Sequence, residues 1–239
     1  LFVNSRHREA ASGKIRESTM SRPIVIAYHL IWTLYGWWLP NDPRGSSSHT
    51  IRCDVLDDLG ALHHGRKRIQ PASADIRAFY ETAQSRLTHE LLTLNQTHVR
   101  ETASVFAQVI AAEKYTCYAM CIMPDHVHVL IRKHRDQAEQ MIAKLQNAGR
   151  LRLRDAGSFF PANFPPDHPV WAGPGWKVFL DHPDELHRTI TYIERNPLSL
   201  RQPVQQWPCI TPYNNWPLHE GHSSNSPYVK ALRAAGRYP

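Results

Sequence analysis

Cysteine is scarce in this chain, and the little there is does not cluster. The four are Cys53, Cys117, Cys121 and Cys209, with no Cys-x-x-Cys pair among them. That count and spacing exclude a disulfide framework in a chain of 239 residues and argue against a zinc site built on thiolates. A reducing, cytoplasmic compartment is therefore expected. Long apolar runs are also missing. None approaches the roughly 18–20 residues that a membrane span needs, so no membrane partner is expected. Residues 1–22 have no signal-peptide hydrophobic stretch, and are expected to be a disordered extension. Acidic excess is absent too: 28 Lys+Arg against 21 Asp+Glu give a net charge of +7. This balance favours a polyanionic partner such as nucleic acid. No internal repeat or heptad is visible. What remains, 42% hydrophobic and 10% aromatic residues, is the composition of a globular domain with a full core.

Local patterning divides that domain into elements. The apolar and β-branched run from Ile24 to Trp38 reads as a first strand, ended by a dense group of turn formers from Leu39 to Ser48. Residues 39–95 are too thin in apolar side chains for a core of their own and read as an insertion. It carries a basic patch, Arg66-Lys67-Arg68, and a helical stretch near Ala74–Leu94. Val99, Ala103, Phe106, Val109 and Ile110 recur at helical spacing over Val99–Lys114. A strand over Tyr115–Met123 follows, on which Cys117 and Cys121 are expected to share a face. Pro124-Asp125 reverses the chain into a strand over His126–Arg132, and Gln137–Arg154 is a long helix. Residues 157–175 read as loop, Trp176–Leu180 as a strand, and Asp184–Arg195 as a helix closed by Asn196-Pro197. Without the insertion the order is βαββαβ with one more helix. That is an α+β, ferredoxin-like split βαβ fold with an added C-terminal helix. The expected organisation is a domain over 23–200 and a tail over 201–239 lying on its surface.

Two pairs of residues stand out from this frame. In His126-Val127-His128 both imidazoles project from one strand face, because strand side chains alternate. They are either packed structurally or placed to share a metal ion. Tyr192 and Asn196 lie four apart and so share a helix face. Alone, they read equally as a packing aromatic and a helix cap, and Pro197 disfavours an α conformation at Asn196.

Together the pairs resemble the HUH single-strand nucleases of the one-tyrosine transposase type, most nearly the REP-associated tyrosine transposases among the insertion-sequence transposases. The resemblance rests on Tyr28-His29-Leu30-Ile31-Trp32-Thr33, on Met123-Pro124-Asp125-His126-Val127-His128-Val129-Leu130, and on Tyr192-Ile193-Glu194-Arg195-Asn196-Pro197. It implies a transposase that cuts and rejoins single-stranded DNA at hairpin-associated sites. Tyr192 would be the nucleophile and form a 5′-phosphotyrosine intermediate. His126 and His128, with Asn196 as a third ligand, would hold a divalent ion. Imidazole and carbonyl donors with open positions suit Mg²⁺ or Mn²⁺. Arg132, Lys133, Arg150, Arg152 and Arg154 interleave with these blocks and are expected to contact DNA phosphates. The partner would be single-stranded DNA bearing hairpins, and the protein a monomer or homodimer. The insertion and the tail depart from the compact family core. They leave open a domesticated protein that binds hairpins without cutting, and a metal-dependent hydrolase of small phosphoesters that uses water.

Overall fold

Alternation along the central strand decides which face of the sheet is buried under helices and which carries chemistry. Val127, Val129 and Ile131 are completely buried on one face, while His126, His128 and Leu130 occupy the other. The computed structural model describes residues 24–238 apart from 47, 52, 53, 156 and 158. The expected extension at 1–22 and Cys53 thus lie outside the described residues. The sheet has four strands: β1 (Ala27–Thr33), β2 (Cys117–Ile122), β3 (His126–Arg132) and β4 (Trp176–Leu180). Their order is β2-β3-β1-β4, and every neighbouring pair is antiparallel. Two parallel strands, β1 and β2, therefore flank β3, which is the expected split βαβ arrangement.

Among the described residues there are five α-helices: α1 (Ser73–Gln84), α2 (Gln96–Ala112), α3 (Ala138–Asp155), α4 (Pro183–Arg195) and α5 (Pro227–Ala234). Helix α2 begins one turn earlier than expected because the Asn95 side chain accepts the His98 N–H at 2.9 Å. Such a cap stabilises a helix by about 1 kcal/mol. Helices α2 and α3 cover one face of the sheet, where Trp32, Phe106, Met141 and Leu145 are almost fully enclosed. Burial of each such side chain contributes on the order of 1.5–3 kcal/mol. Gly149 of α3 permits the close approach: a Cβ there would lie 2.9 Å from the Trp171 ring and 3.1 Å from Phe106. Helix α4 packs on the opposite face, against β2 and β3. The insertion contains α1 and buries a small cluster around Leu39, Leu56, Tyr80 and Ala83, while Leu92 and Leu94 at its end join the main core.

Two local expectations are corrected. A register shift between Cys117 and Ala119 pairs Cys117 with Ile131 and Cys121 with His128. The bulge thereby sends the two cysteines to opposite faces rather than one. Asn196 adopts an αR conformation, with φ −55 and ψ −44, despite the following proline. The chain tightens into a 3₁₀ turn over Asn196–Leu200. Pro197 sits at its start, where a missing N–H costs nothing.

Residues 201–222 do more than cover the surface. The Gln205 carboxamide accepts the Ile122 N–H at 2.9 Å and donates to the Ile122 carbonyl at 2.8 Å. The Thr211 N–H reaches the Cys117 carbonyl at 2.7 Å. These contacts satisfy the backbone of β2, which would otherwise be an open sheet edge. Residues 223–238 form a separate unit holding α5, which local patterning did not reveal. Its first turn has Pro227, and the Ser226 hydroxyl accepts the Val229 N–H at 3.3 Å. Among the described residues no helix is long and apolar enough to cross a membrane.

Candidate active site

The two histidines of β3 are held by different partners. His126 Nδ1 lies 2.6 Å from Asp125 Oδ1. An ionised carboxylate can only accept, so the proton sits on Nδ1 and Nε2 keeps its lone pair in the neutral ring. Burial would raise the Asp125 carboxyl. The adjoining His126, and more distantly the Arg44 guanidinium, outweigh this and hold it below the usual carboxylate range. His128 is buried, and its Nδ1 is 2.9 Å from Nε2 of His29 on β1. Burial, together with the neighbouring His126 and His29, pushes His128 well below the ordinary imidazole range. Burial likewise lowers His29 to about 4. Both rings are therefore neutral at physiological pH, and one must donate to the other. If His128 donates from Nδ1, its Nε2 lone pair is free to bind a metal, and His29 must accept.

Tyr192 projects from α4 over this cluster. Its ring centroid is 5.4 Å from that of His128 and 6.2 Å from that of His29, with the side chain half exposed. Because the αR conformation continues through Asn196, the carboxamide stays on the same helix face and lines the same cleft. Asn196 Nδ2 is buried without a hydrogen-bond partner. A half-turn of the carboxamide exchanges its oxygen and nitrogen in place. The unpaired position therefore offers either a donor to a phosphate oxygen or an acceptor-type ligand to a metal.

The cleft has a volume of about 370 Å³. It is lined by Asp125, His126, His128, Tyr192 and Asn196, and also by residues of the insertion. The basic residues expected to contact DNA are not brought here. Arg132 stacks 4.4 Å from the Trp216 ring, and Lys133 is exposed beyond the end of β3. Arg150, Arg152 and Arg154 lie on α3, which covers the other face of the sheet. There Arg150 bonds Asn147, Arg152 pairs with Glu101 at 3.3 Å, and Arg154 holds the His168 carbonyl at 2.7 Å. Sequence reasoning missed His29 and the role of Asp125. An imidazole inside the largely apolar Tyr28–Trp32 run was the available signal for the first. Asp125 read only as a turn former.

A strand bearing His-hydrophobe-His and a helix-borne tyrosine and asparagine thus line one cleft. Residues 89–161 match the sequence profile of a family described as IS200-like transposase. The match covers under a third of the chain, and over that part the expected likeness to the insertion-sequence transposases is borne out. The matched residues include Asp125, His126 and His128, whereas Tyr192 and Asn196 lie beyond them. Two solved structures are similar at a distance. One is a REP-associated tyrosine transposase bound to a REP hairpin, with a TM-score of 0.39 and 11% identity, covering 99% of this chain and 89% of that one. The other is a candidate transposase of Deinococcus radiodurans R1, with a TM-score of 0.33 and 14% identity, covering 76% of this chain and 94% of that one. No curated protein sequence matches the chain. Likenesses this distant leave the reading of the site to its own geometry.

Proposed function

We propose that the chain is a metal-dependent endonuclease and strand transferase for single-stranded DNA, a transposase of the REP-associated type that cuts beside hairpins. The observation that carries this reading is the convergence of Tyr192, Asn196, His126 and His128 on one cleft within a single chain. Convergence within one chain also favours a site complete in the monomer. In this reading the Tyr192 phenol oxygen attacks the scissile phosphorus and releases its proton to water, which the half-exposed ring can reach. The new bond is tyrosine oxygen to phosphorus. The bond broken is phosphorus to the 3′ oxygen, which leaves as a hydroxyl after taking a proton from water. A 3′-hydroxyl attacking the phosphotyrosine reverses these steps and joins strands without an external energy source.

The donor set suits a divalent cation. Among the described residues no group of three His, Cys, Asp or Glu side chains is arranged to hold a metal. The reading therefore takes two imidazoles, His126 and His128, with the unpaired carboxamide of Asn196 as third ligand. Mg²⁺ or Mn²⁺ bound there would neutralise phosphate charge and align the scissile group. Asp125 and His29 fix the tautomers of the two imidazoles, as outer partners of metal-binding histidines do. Three free cysteines, Cys117, Cys121 and Cys209, accord with the proposed cytoplasmic location.

The test is to incubate the protein with hairpin-bearing single-stranded DNA and Mn²⁺, and to look for a covalent adduct by denaturing gel and mass spectrometry. Wild type should form a 5′-phosphotyrosine adduct and Tyr192→Phe none, with hairpin binding retained. An adduct undiminished in Tyr192→Phe would falsify the tyrosine assignment. Binding without cleavage under either metal would select the non-cutting alternative.

A further inference from the structure

We propose that the insertion after β1 supplies a phosphate seat for the substrate strand, with Arg66 gripping a backbone phosphate next to the scissile one. This rests on the reading of the cleft as a DNA-cutting site. Arg44, Gly45, Ser46, Gly65, Arg66 and Gln70 all line the cleft that holds the histidines. Residues 39–95 are thus part of the catalytic cleft, although nothing in their sequence carries a catalytic motif.

The wall is built rather than draped. Segments 44–46 and 63–67 are stitched together by backbone hydrogen bonds: Ser46 N–H to His63 O at 2.9 Å, Gly65 N–H to Ser46 O at 2.7 Å, and Lys67 N–H to Arg44 O at 2.9 Å. They approach so closely that a Cβ at Gly45 would meet the Gly65 carbonyl at 1.9 Å. Below them Arg44 is clamped by the buried Asp42, with Nε at 2.9 Å from Oδ1 and Nη2 at 2.7 Å from Oδ2. Asp42 also accepts the Tyr80 hydroxyl, and that hydroxyl in turn accepts the Trp38 N–H at 2.6 Å. Arg44 therefore has its charge answered by Asp42 and serves as the anchor of the wall. Its guanidinium lies 4.9 Å from the Trp38 ring centroid.

Arg66 differs in both respects. It is exposed and has no hydrogen-bond or ion-pair partner among the described residues, yet it lines the cleft. An unpaired guanidinium is free to engage an incoming anion, and its planar fork matches two phosphate oxygens. Arg68, two residues along and also exposed, does not line the cleft. The seat would bind the polyanionic strand without reading its sequence, since phosphates carry none.

The experiment measures binding of hairpin-bearing single-stranded DNA in EDTA, so that cleavage does not intervene, over a range of salt concentrations. Removing one cation that neutralises a phosphate of a single strand should lower the slope of log affinity against log salt by about 0.7. Arg66→Gln should lower the slope by about that amount and weaken binding alike for different flanking sequences. Arg68→Gln should leave the slope at the wild-type value. A wild-type slope in Arg66→Gln, or an equal fall in Arg68→Gln, overturns the seat. The adduct assay with Mn²⁺ reads the cleavage proposal separately. Wild type that forms the adduct while Arg66→Gln keeps its slope loses only the seat. A slope change without any adduct loses only the cleavage reading.

Discussion

His29 should control metal binding without touching the metal. The site binds an ion through His128 Nε2 only if the His128 proton sits on Nδ1, and His29 Nε2 at 2.9 Å is the acceptor that keeps it there. His29→Leu replaces the imidazole by an apolar side chain of similar bulk and removes that acceptor. The buried His128 N–H is then left unpaired, at a cost of about 1–3 kcal/mol, or the proton moves to Nε2 and blocks the ligand position. Loss of such an outer partner lowers metal affinity by about 10–100-fold, which is roughly 1.4–2.7 kcal/mol. His29→Gln offers a carboxamide oxygen instead and should keep Mn²⁺ affinity much nearer wild type. Isothermal titration of Mn²⁺ into wild type, His29→Leu and His29→Gln at pH 7 measures this directly. Urea melts of the metal-free proteins report the stability change apart from any activity. The reasoning fails if His29→Leu binds Mn²⁺ as tightly as wild type, or if His29→Gln loses as much affinity as His29→Leu.

Two further outcomes follow from packing and burial elsewhere. Gly149→Ala gains up to about 1 kcal/mol of helix propensity. The added Cβ, however, meets the rigid Trp171 and Phe106 rings at 2.9 and 3.1 Å, an overlap of the kind that costs about 1–3 kcal/mol. The net effect should be a lower midpoint in thermal melts, and an unchanged or higher Tm would show that α3 can yield there. Burial lowers the pKa of His168, although its bond to the Pro169 carbonyl pulls the other way. With the folded pKa below the unfolded value, near ~6.5, its contribution is complete above that pH. It declines as pH falls through it and levels off below the folded pKa. Tm measured from pH 7 to 5 should therefore fall less steeply in His168→Gln than in wild type, and parallel curves would remove His168 as the cause.

The legible part of this protein was the part set by short-range periodicity. The apolar run after the Pro124-Asp125 turn marked β3, and strand alternation put His126 and His128 on one face. Spacing of four put Tyr192 and Asn196 on one helix face. Both inferences needed only the geometry of a strand and a helix, which hold wherever the element lies. Cys117 and Cys121 show the limit of such reasoning, since one bulge reverses the face of everything beyond it.

What the sequence by itself determined is therefore the elements from β1 to α4, their order, and the residue pairs that β3 and α4 present. Only the tertiary structure decided which surfaces meet. His29 reaches His128 across 99 residues because the register of β1 on β3 is set by packing on both sheet faces. The side of the sheet taken by α3 carries Arg150, Arg152 and Arg154 away from the cleft, and no local pattern contains that choice. The same holds for the insertion, where long-range backbone pairing, rather than any motif, brings Arg66 to the lining of the cleft.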